Sequence, residues 1–352
     1  MTIIFGVGWF LIALTAFILA AYIVIWVLYV PIAARVFGES PWLPAKRHEP
    51  LDEGQTVELH TRDGCRLEGT YLPTMAAERQ GVIAFFHEFN GERWSAVPYT
   101  GDLRRKGFDV FTFDFRCHGS SDCMAGYKPM PWVTSYDVAD ARAVIDYLCS
   151  RSDADSHGIG LFGVSKGGTV ALCAASGDPR VRSLVIDGAV PTERMQIHYA
   201  RRFMKIFLAH PGLLSWVPDI ALRPTNAWAR FVIQRRDNCR FINVDQAARR
   251  LRQPVMMIHG REDGFIPVSV VRALRNSMSS SVRLWAIPHA KHNGSISVAP
   301  HAYQRRVARF CRLHLAEISP GRPLARPFAW RPLRRRLRPI LSLVNALWSL
   351  ML

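Results

Sequence analysis

Ser165, Asp263 and His292 stand far apart in a chain of 352 residues, yet their types and order suit nucleophilic acyl chemistry. A serine hydroxyl is a poor nucleophile until a base takes its proton, and an imidazole base needs an acid partner to hold its tautomer. Ser165 sits in Gly163-Val164-Ser165-Lys166-Gly167, where the apolar stretch Ile159–Phe162 gives way to a helix-like stretch, Gly168–Ala175. Glycines flanking a strand-to-helix corner let neighbouring backbone approach, so the serine can occupy a tight turn at the carboxyl edge of a sheet. The N–H that follows then points to where an oxyanion would form. The same five residues also suit an ordinary βα turn, so the pattern needs support from elsewhere.

That support lies downstream. Asp263 falls on a turn within Ile258-His259-Gly260-Arg261-Glu262-Asp263-Gly264-Phe265-Ile266-Pro267, after one apolar strand. His292 falls on a loop within Pro288-His289-Ala290-Lys291-His292-Asn293-Gly294, after the next. Serine, acid and histidine, each following a strand, would meet at one sheet edge. His289 is a rival base and Glu262 a rival acid. The pair His289-x-x-His292 lacks further ligands at zinc-site spacing, so neither a metal nor a cofactor is expected.

A sheet must position these residues, and the chain's patterning predicts one. Val57–Pro73 reads as a hairpin about the turn dipeptide Asp63-Gly64. Apolar strands follow at Val82–Phe86, Val110–Phe113, Ile159–Phe162, Leu184–Ile186, Val255–Ile258 and Val282–Ile287. Helical stretches lie between and after them, at Tyr99–Lys106, Ser135–Leu148, Val268–Met278 and Ala302–Leu315. This alternation predicts an α/β fold with a mostly parallel sheet covered by helices on both faces. It breaks over 191–253, where helices rich in Met, Phe, Trp and Arg are interrupted by Pro211, Pro218 and Pro224. A helical cap over the carboxyl edge is expected there, dividing the core into 55–190 and 254–317.

With those motifs in place, the chain resembles the α/β-hydrolase superfamily, in particular its membrane-anchored serine hydrolases of the lipase/esterase or serine aminopeptidase-like branches. The resemblance covers roughly Val57 to Leu315. Gly163–Gly167 matches the nucleophile elbow, and Phe113-Asp114-Phe115-Arg116-Cys117-His118-Gly119-Ser120-Ser121 is similar to the family's D-x-R-G-H-G-x-S loop, with Cys117 in place of its glycine. His259–Pro267 matches the acid turn. The resemblance implies Ser165 as nucleophile, Asp263 as acid and His292 as general base, favoured over His289 because Asn293 follows it. It implies loop-bracing roles for His118 and His259, and makes the backbone N–H groups of Phe89 and Lys166 the oxyanion donors. The oxyanion loop departs from the family's His-Gly start, reading His87-Glu88-Phe89-Asn90-Gly91. Glu88 removes a glycine's freedom and brings a carboxylate near the site.

Outside the hydrolase-like stretch the chain reads as membrane-associated. From Ile3 to Val30 nearly every side chain is apolar, and no charge precedes Arg35. A helix there would run ~42 Å, against a hydrocarbon core of ~30 Å, so residues 1–35 are expected to form a tilted transmembrane anchor. A cleaved signal peptide would carry a basic n-region and a shorter apolar stretch. Residues 36–54 read as a linker. Arg35, Lys46 and Arg47 follow the span, which places the remaining domain in the cytoplasm by the positive-inside rule. Seven cysteines, an odd number without CxxC spacing, are expected to be reduced thiols.

The net charge of +17 is concentrated in two places. Residues 191–253 carry 12 Lys/Arg against 4 Asp/Glu, and residues 318–352 carry seven arginines and no acid. No nucleic-acid motif accompanies them, so anionic lipid head groups are the expected partner and nucleic acid is not. The tail ends in the apolar stretch Pro339–Leu352, too short to span a bilayer and read as interfacial. The expected activity is membrane-anchored serine-hydrolase cleavage of a carboxylic ester with an apolar or lipid-like acyl group. An acyltransferase or serine peptidase with the same triad, or a binding protein on a hydrolase fold, are the alternatives.

Overall fold

The computed structural model describes residues 2–39, 47–156, 158–207, 212 and 217–315; the expected basic tail lies outside them. The chain begins with helix α1 (Thr2–Gly38) and the hairpin β1 (Gln55–His60) and β2 (Arg66–Leu72). Next come β3 (Gly81–Phe86), α2 (Val97–Arg105), β4 (Phe108–Phe113), α3 (Ser135–Ser150), β5 (Ile159–Val164), α4 (Lys166–Ala175) and β6 (Val181–Asp187). Three helices follow: α5 (Thr192–Phe207), α6 (Asp219–Arg236) and α7 (Val244–Arg250). The chain then forms β7 (Val255–Gly260), α8 (Val268–Ser277), β8 (Val282–Ile287), α9 (Ser295–Val298) and α10 (Pro300–Leu315).

The eight strands form one sheet in the order β1-β2-β4-β3-β5-β6-β7-β8. β2 runs antiparallel to both β1 and β4, and every other neighbouring pair is parallel. β3, β4, β5 and β7 are buried at every position, as expected of parallel strands covered on both faces. Two apolar clusters form the covers. Phe86, Phe111, Phe113 and Leu161 join α3 and α4 on one face. Phe85, Val110, Phe162 and Ile258 join α2 and α10 on the other. This is the α/β architecture that the apolar periodicity predicted.

α1 is a candidate membrane span, with mean hydropathy 2.7 over its most apolar window. It continues beyond residue 35 to Gly38 because its last turns dock into the domain. Val30, Ala33, Ala34 and Phe37, at helical i, i+3, i+4, i+7 spacing, are buried against it. The Trp132 indole donates to the Phe37 carbonyl at 2.7 Å, satisfying one of the carbonyls a helix end leaves open. α5 and α6 pack on each other, and α6 packs along α1. α7, also within 191–253, lies instead between α4 and α8 beside the sheet.

The expectation of reduced thiols needs one correction: Cys117 and Cys123 are joined by a disulfide. Their loop turns back on itself, with the Cys117 N–H donating to the Asp122 carbonyl, and this brings together residues that sequence spacing does not mark as a pair. Cys65, Cys149, Cys173, Cys239 and Cys311 are free. Burial raises the Cys173 and Cys311 thiols to about 12, so both are inert hydrophobes in the core.

Candidate active site

Ser165 stands between the last residue of β5 and the first of α4, with φ 53° and ψ −121°, a conformation that L-residues rarely hold. Its N–H donates to the Asp187 carbonyl at 2.6 Å, tying the turn to the end of β6. The two flanking glycines are steric necessities. A Cβ on Gly163 would come within 2.5 Å of the Gly167 backbone, and one on Gly167 would strike the carbonyl oxygens of Phe86 and His87. The corner closes only because both lack side chains.

Ser165 Oγ lies 2.9 Å from His292 Nε2, and His292 Nδ1 lies 2.7 Å from Asp263 Oδ2. The other carboxylate oxygen, Oδ1, accepts the N–H groups of Phe265 and Ile266 at 2.9 and 2.8 Å. An ionised carboxylate accepts only, so Nδ1 must carry the proton, which leaves Nε2 free to accept from the serine. Burial works to raise the Asp263 pKa, but the hydrogen bond from His292, its electrostatic attraction for the carboxylate and the Ile266 N–H outweigh burial and hold the pKa below its ordinary value. The rivals are elsewhere. His289 is exposed and its Nδ1 pairs with Glu262 Oε1 at 2.8 Å, away from the serine.

The loop after β3 sits beside this row. His87 is fully buried, and burial pushes its pKa well below the usual range, so it is neutral. Its Nε2 accepts the Phe115 N–H at 3.2 Å, so Nδ1–H donates to the Glu88 carbonyl at 2.7 Å. That imidazole fixes the backbone just before Phe89. Glu88 itself needs no positive φ, which falls on Asn90 at 61°. Its side chain turns to Ser95 Oγ at 3.2 Å, while Oε2 is buried without a partner, and burial raises its pKa. Lys166 opens α4, where the first N–H groups have no intrahelical acceptor. Its ammonium is buried against Asp137 at 2.8 Å and lies over the Phe89 ring. Phe89 and Lys166 thus flank the serine.

Two further histidines hold loops. His118 Nδ1 bonds the Arg116 carbonyl at 2.9 Å, and His259 Nε2 bonds the Ile266 carbonyl at 2.9 Å within the acid turn. Arg116, wholly buried, spans Asp140 on α3 at 2.6 Å and Asp63 in the β1–β2 turn at 2.7 Å. Cys117 carries φ 60°, the left-handed value for which glycine is the usual residue.

A cavity of about 660 Å³ opens over Ser165 and His292, within the usual range for small-molecule sites. Its walls are mostly apolar: Phe89, Trp132, Met195, Phe203 and Phe265, with Val36 and Phe37 from the end of α1. Sequence reasoning missed those α1 residues and Trp132, because nothing local in the sequence marks a helix end as a pocket wall. Tyr199 on α5 donates to the Phe265 carbonyl at 3.2 Å, linking that helix to the acid turn.

Asp187 was also missed. Its carboxyl is fully buried and accepts Ser295 Oγ and Tyr303 Oη, each at 3.0 Å. Burial raises its pKa to about 6, against those two hydrogen bonds. Between pH ~4 and ~6 the folded chain therefore holds a proton that the unfolded chain has released, so stability falls as pH rises through that window. Asp187→Asn is expected to gain about 3 kcal/mol relative to wild type between pH 4 and pH 7, at 1.36 kcal/mol per unit. Denaturant unfolding of both proteins across that range checks it; a pH-independent difference would refute the assignment.

A mostly parallel sheet with a serine at a strand-to-helix corner, its hydroxyl bonded to a histidine that is in turn bonded to an aspartate, both on loops after later strands, is the arrangement of an α/β hydrolase. Family comparison agrees: the alpha/beta hydrolase family model matches residues 84–310, and the chain belongs to that family. It is 25% identical over 241 residues to the alpha/beta hydrolase domain-containing protein WAV2 of Arabidopsis thaliana, covering 68% of this chain and 70% of that one. It is 33% identical over 132 residues to the thiohydrolase aneE of Aspergillus aculeatus, covering 37% and 39%. Among solved structures, an esterase from Pyrococcus furiosus superposes with a TM-score of 0.59 at 22% identity, covering 78% of this chain and 97% of that one, a likeness of fold.

Proposed function

We propose that the protein is a membrane-anchored serine hydrolase that cleaves a carboxylic ester with an apolar or lipid-like acyl group. The observation that carries this reading is the unbroken Ser165–His292–Asp263 row opening into an apolar cavity. Ser165 Oγ attacks the acyl carbon as its proton passes to His292 Nε2, and the imidazolium is stabilised by Asp263. The carbonyl oxygen becomes an oxyanion held by the N–H groups of Phe89 and Lys166. Collapse breaks the ester bond, and the departing alkoxide takes the proton from His292. Water, deprotonated by the same imidazole, then attacks the acyl-enzyme and releases the carboxylic acid and free Ser165. α5, which supplies Met195, Tyr199 and Phe203 to the cavity wall, acts as a lid over this chemistry, with α6 packed against it.

The partial match to a thiohydrolase favours a thioester as the second reading, through the same acyl-enzyme. Labelling with a serine-directed fluorophosphonate tests the common core: wild type is expected to label and Ser165→Ala not to. Intact wild-type protein that stays unlabelled would defeat the proposal. Rates on matched acyl esters, acyl thioesters and aminoacyl amides then separate the substrate classes.

Arg35 in the last turn of α1, with Lys46 and Arg47 after it, supports a cytoplasmic catalytic domain next to anionic head groups. The Cys117–Cys123 bridge weighs the other way, since cytosolic thiols are normally kept reduced. A topology reporter fused after Leu352 is expected to behave as cytoplasmic, and strong extracytoplasmic activity would reverse the orientation.

A further inference from the structure

α1 is longer than a bilayer requires. Its 37 residues span about 55 Å at ~1.5 Å each, against ~30 Å of hydrocarbon. The surplus lies at its carboxyl end, where one face docks into the domain through Val30, Ala33, Ala34 and Phe37. Polar residues would normally cover the other face of such a segment. Instead Leu28, Ile32 and Val36, four residues apart and therefore in line along the helix, are 65%, 58% and 38% exposed. The stripe is continuous with the exposed apolar residues of the span above it, and its lower end is not a dead end. Val36 is also a wall residue of the cavity over Ser165.

The surroundings fit an interfacial depth. Trp26 on α1 packs against Trp228 on α6 with ring centroids 5.3 Å apart, and Trp228 in turn packs against Phe231, both partly exposed. Tryptophan pairs of this kind favour the membrane–water boundary. Immediately below, Arg35 pairs with Glu39 at 3.0 Å, and Glu39 and Arg202 add charged groups to a mostly apolar cavity. A single-chain amphiphile lying along α1 would thus keep its tail on the stripe and meet charge only near the cavity mouth.

We propose that the substrate is a membrane-resident acyl lipid, and that its chain reaches Ser165 along the Leu28–Ile32–Val36 stripe of α1 without crossing water. The anchor helix is then part of the substrate route as well as a tether. The proposal rests on the hydrolase reading above and adds the phase from which the substrate comes. Its physical basis is that an apolar chain loses free energy in proportion to the surface it shows to water, and the stripe removes that exposure along about 12 Å of path.

The test uses the full chain in vesicles of phosphatidylcholine and phosphatidylglycerol. Hydrolysis of 4-methylumbelliferyl palmitate carried in the bilayer is compared with that of water-soluble 4-methylumbelliferyl acetate. Ile32→Asn, which puts an amide in the middle of the stripe, is expected to lower the palmitate-to-acetate rate ratio by about tenfold. Acetate turnover reports whether the variant has folded. A second arm needs no turnover: Ser165→Ala in vesicles containing phosphatidylcholine with a diazirine-bearing acyl chain is expected to crosslink at Met195 or Phe203 inside the cavity. An unchanged ratio, or crosslinks confined to α1, would overturn the route. If wild type cleaves neither ester but the cavity still crosslinks, the route stands and the hydrolase reading fails.

Discussion

Replacing His292 with alanine is expected to lower kcat/KM on any ester that the wild type cleaves by roughly 10⁴–10⁶-fold, while His289→Ala stays close to wild type. The two histidines are three residues apart, so a gross effect on folding would not separate them; their environments do. His292 bridges Ser165 and Asp263 at 2.9 and 2.7 Å, whereas His289 is turned to solvent against Glu262. Without His292 the serine proton has no acceptor in the row, and Asp263 loses the partner that offsets its burial. Steady-state kinetics on both variants checks this. Equal losses in the two, or a small loss at His292, would remove the proposed base from the mechanism.

The largest expected effect on stability lies at Arg116. Its guanidinium is wholly buried and binds Asp140 through Nε and Nη2 at 2.8 and 2.6 Å, with two more bonds to Asp63. Burial raises Asp140 to about 6 against its hydrogen bond to Arg116; burial works to lower Arg116, but its bonds to Asp63 and Asp140 outweigh that and raise it, so the first shift disfavours the ion pair and the second favours it. With the guanidinium held this closely, the ion pair is the state at neutral pH. Asp63, held chiefly by its hydrogen bond to Arg116, is lowered to about 2. Arg116→Ala would strand a buried carboxylate and is expected to cost about 3–5 kcal/mol. In a domain of this size that lowers Tm by roughly 10 °C. Arg116→Met with Asp140→Leu, which removes both charges, is expected to recover most of the loss, because burying the pair is itself costly. Thermal unfolding of the single and double variants measures both; a loss below about 1 kcal/mol in Arg116→Ala would show that the pair does not hold the loop.

These two residues show how differently the site and its support could be read in advance. Asp263 and His292 are legible because each follows an apolar strand and carries a turn-forming context, as in Asp263-Gly264 and His292-Asn293-Gly294. Parallel strands deliver such loops to one edge regardless of what the intervening chain does. Arg116 is legible as part of a loop motif, but its partners are not: Asp63 and Asp140 lie in a hairpin turn and on a helix that only packing brings together. The same holds for Asp187, which reads as the polar end of a strand and proves to be a buried acid under Tyr303.

What the amino-acid order determined by itself is therefore the local and periodic part of the protein. Strand and helix alternation, the glycine-flanked corner at Ser165 and the long apolar start follow from interactions within a few residues. The tertiary structure alone decided that Cys117 meets Cys123, that His87 braces the loop after β3, and that the end of α1 forms a wall of the cavity. The reason is physical: dihedral preferences and hydrophobic spacing act along the chain, whereas close packing chooses neighbours from anywhere in it.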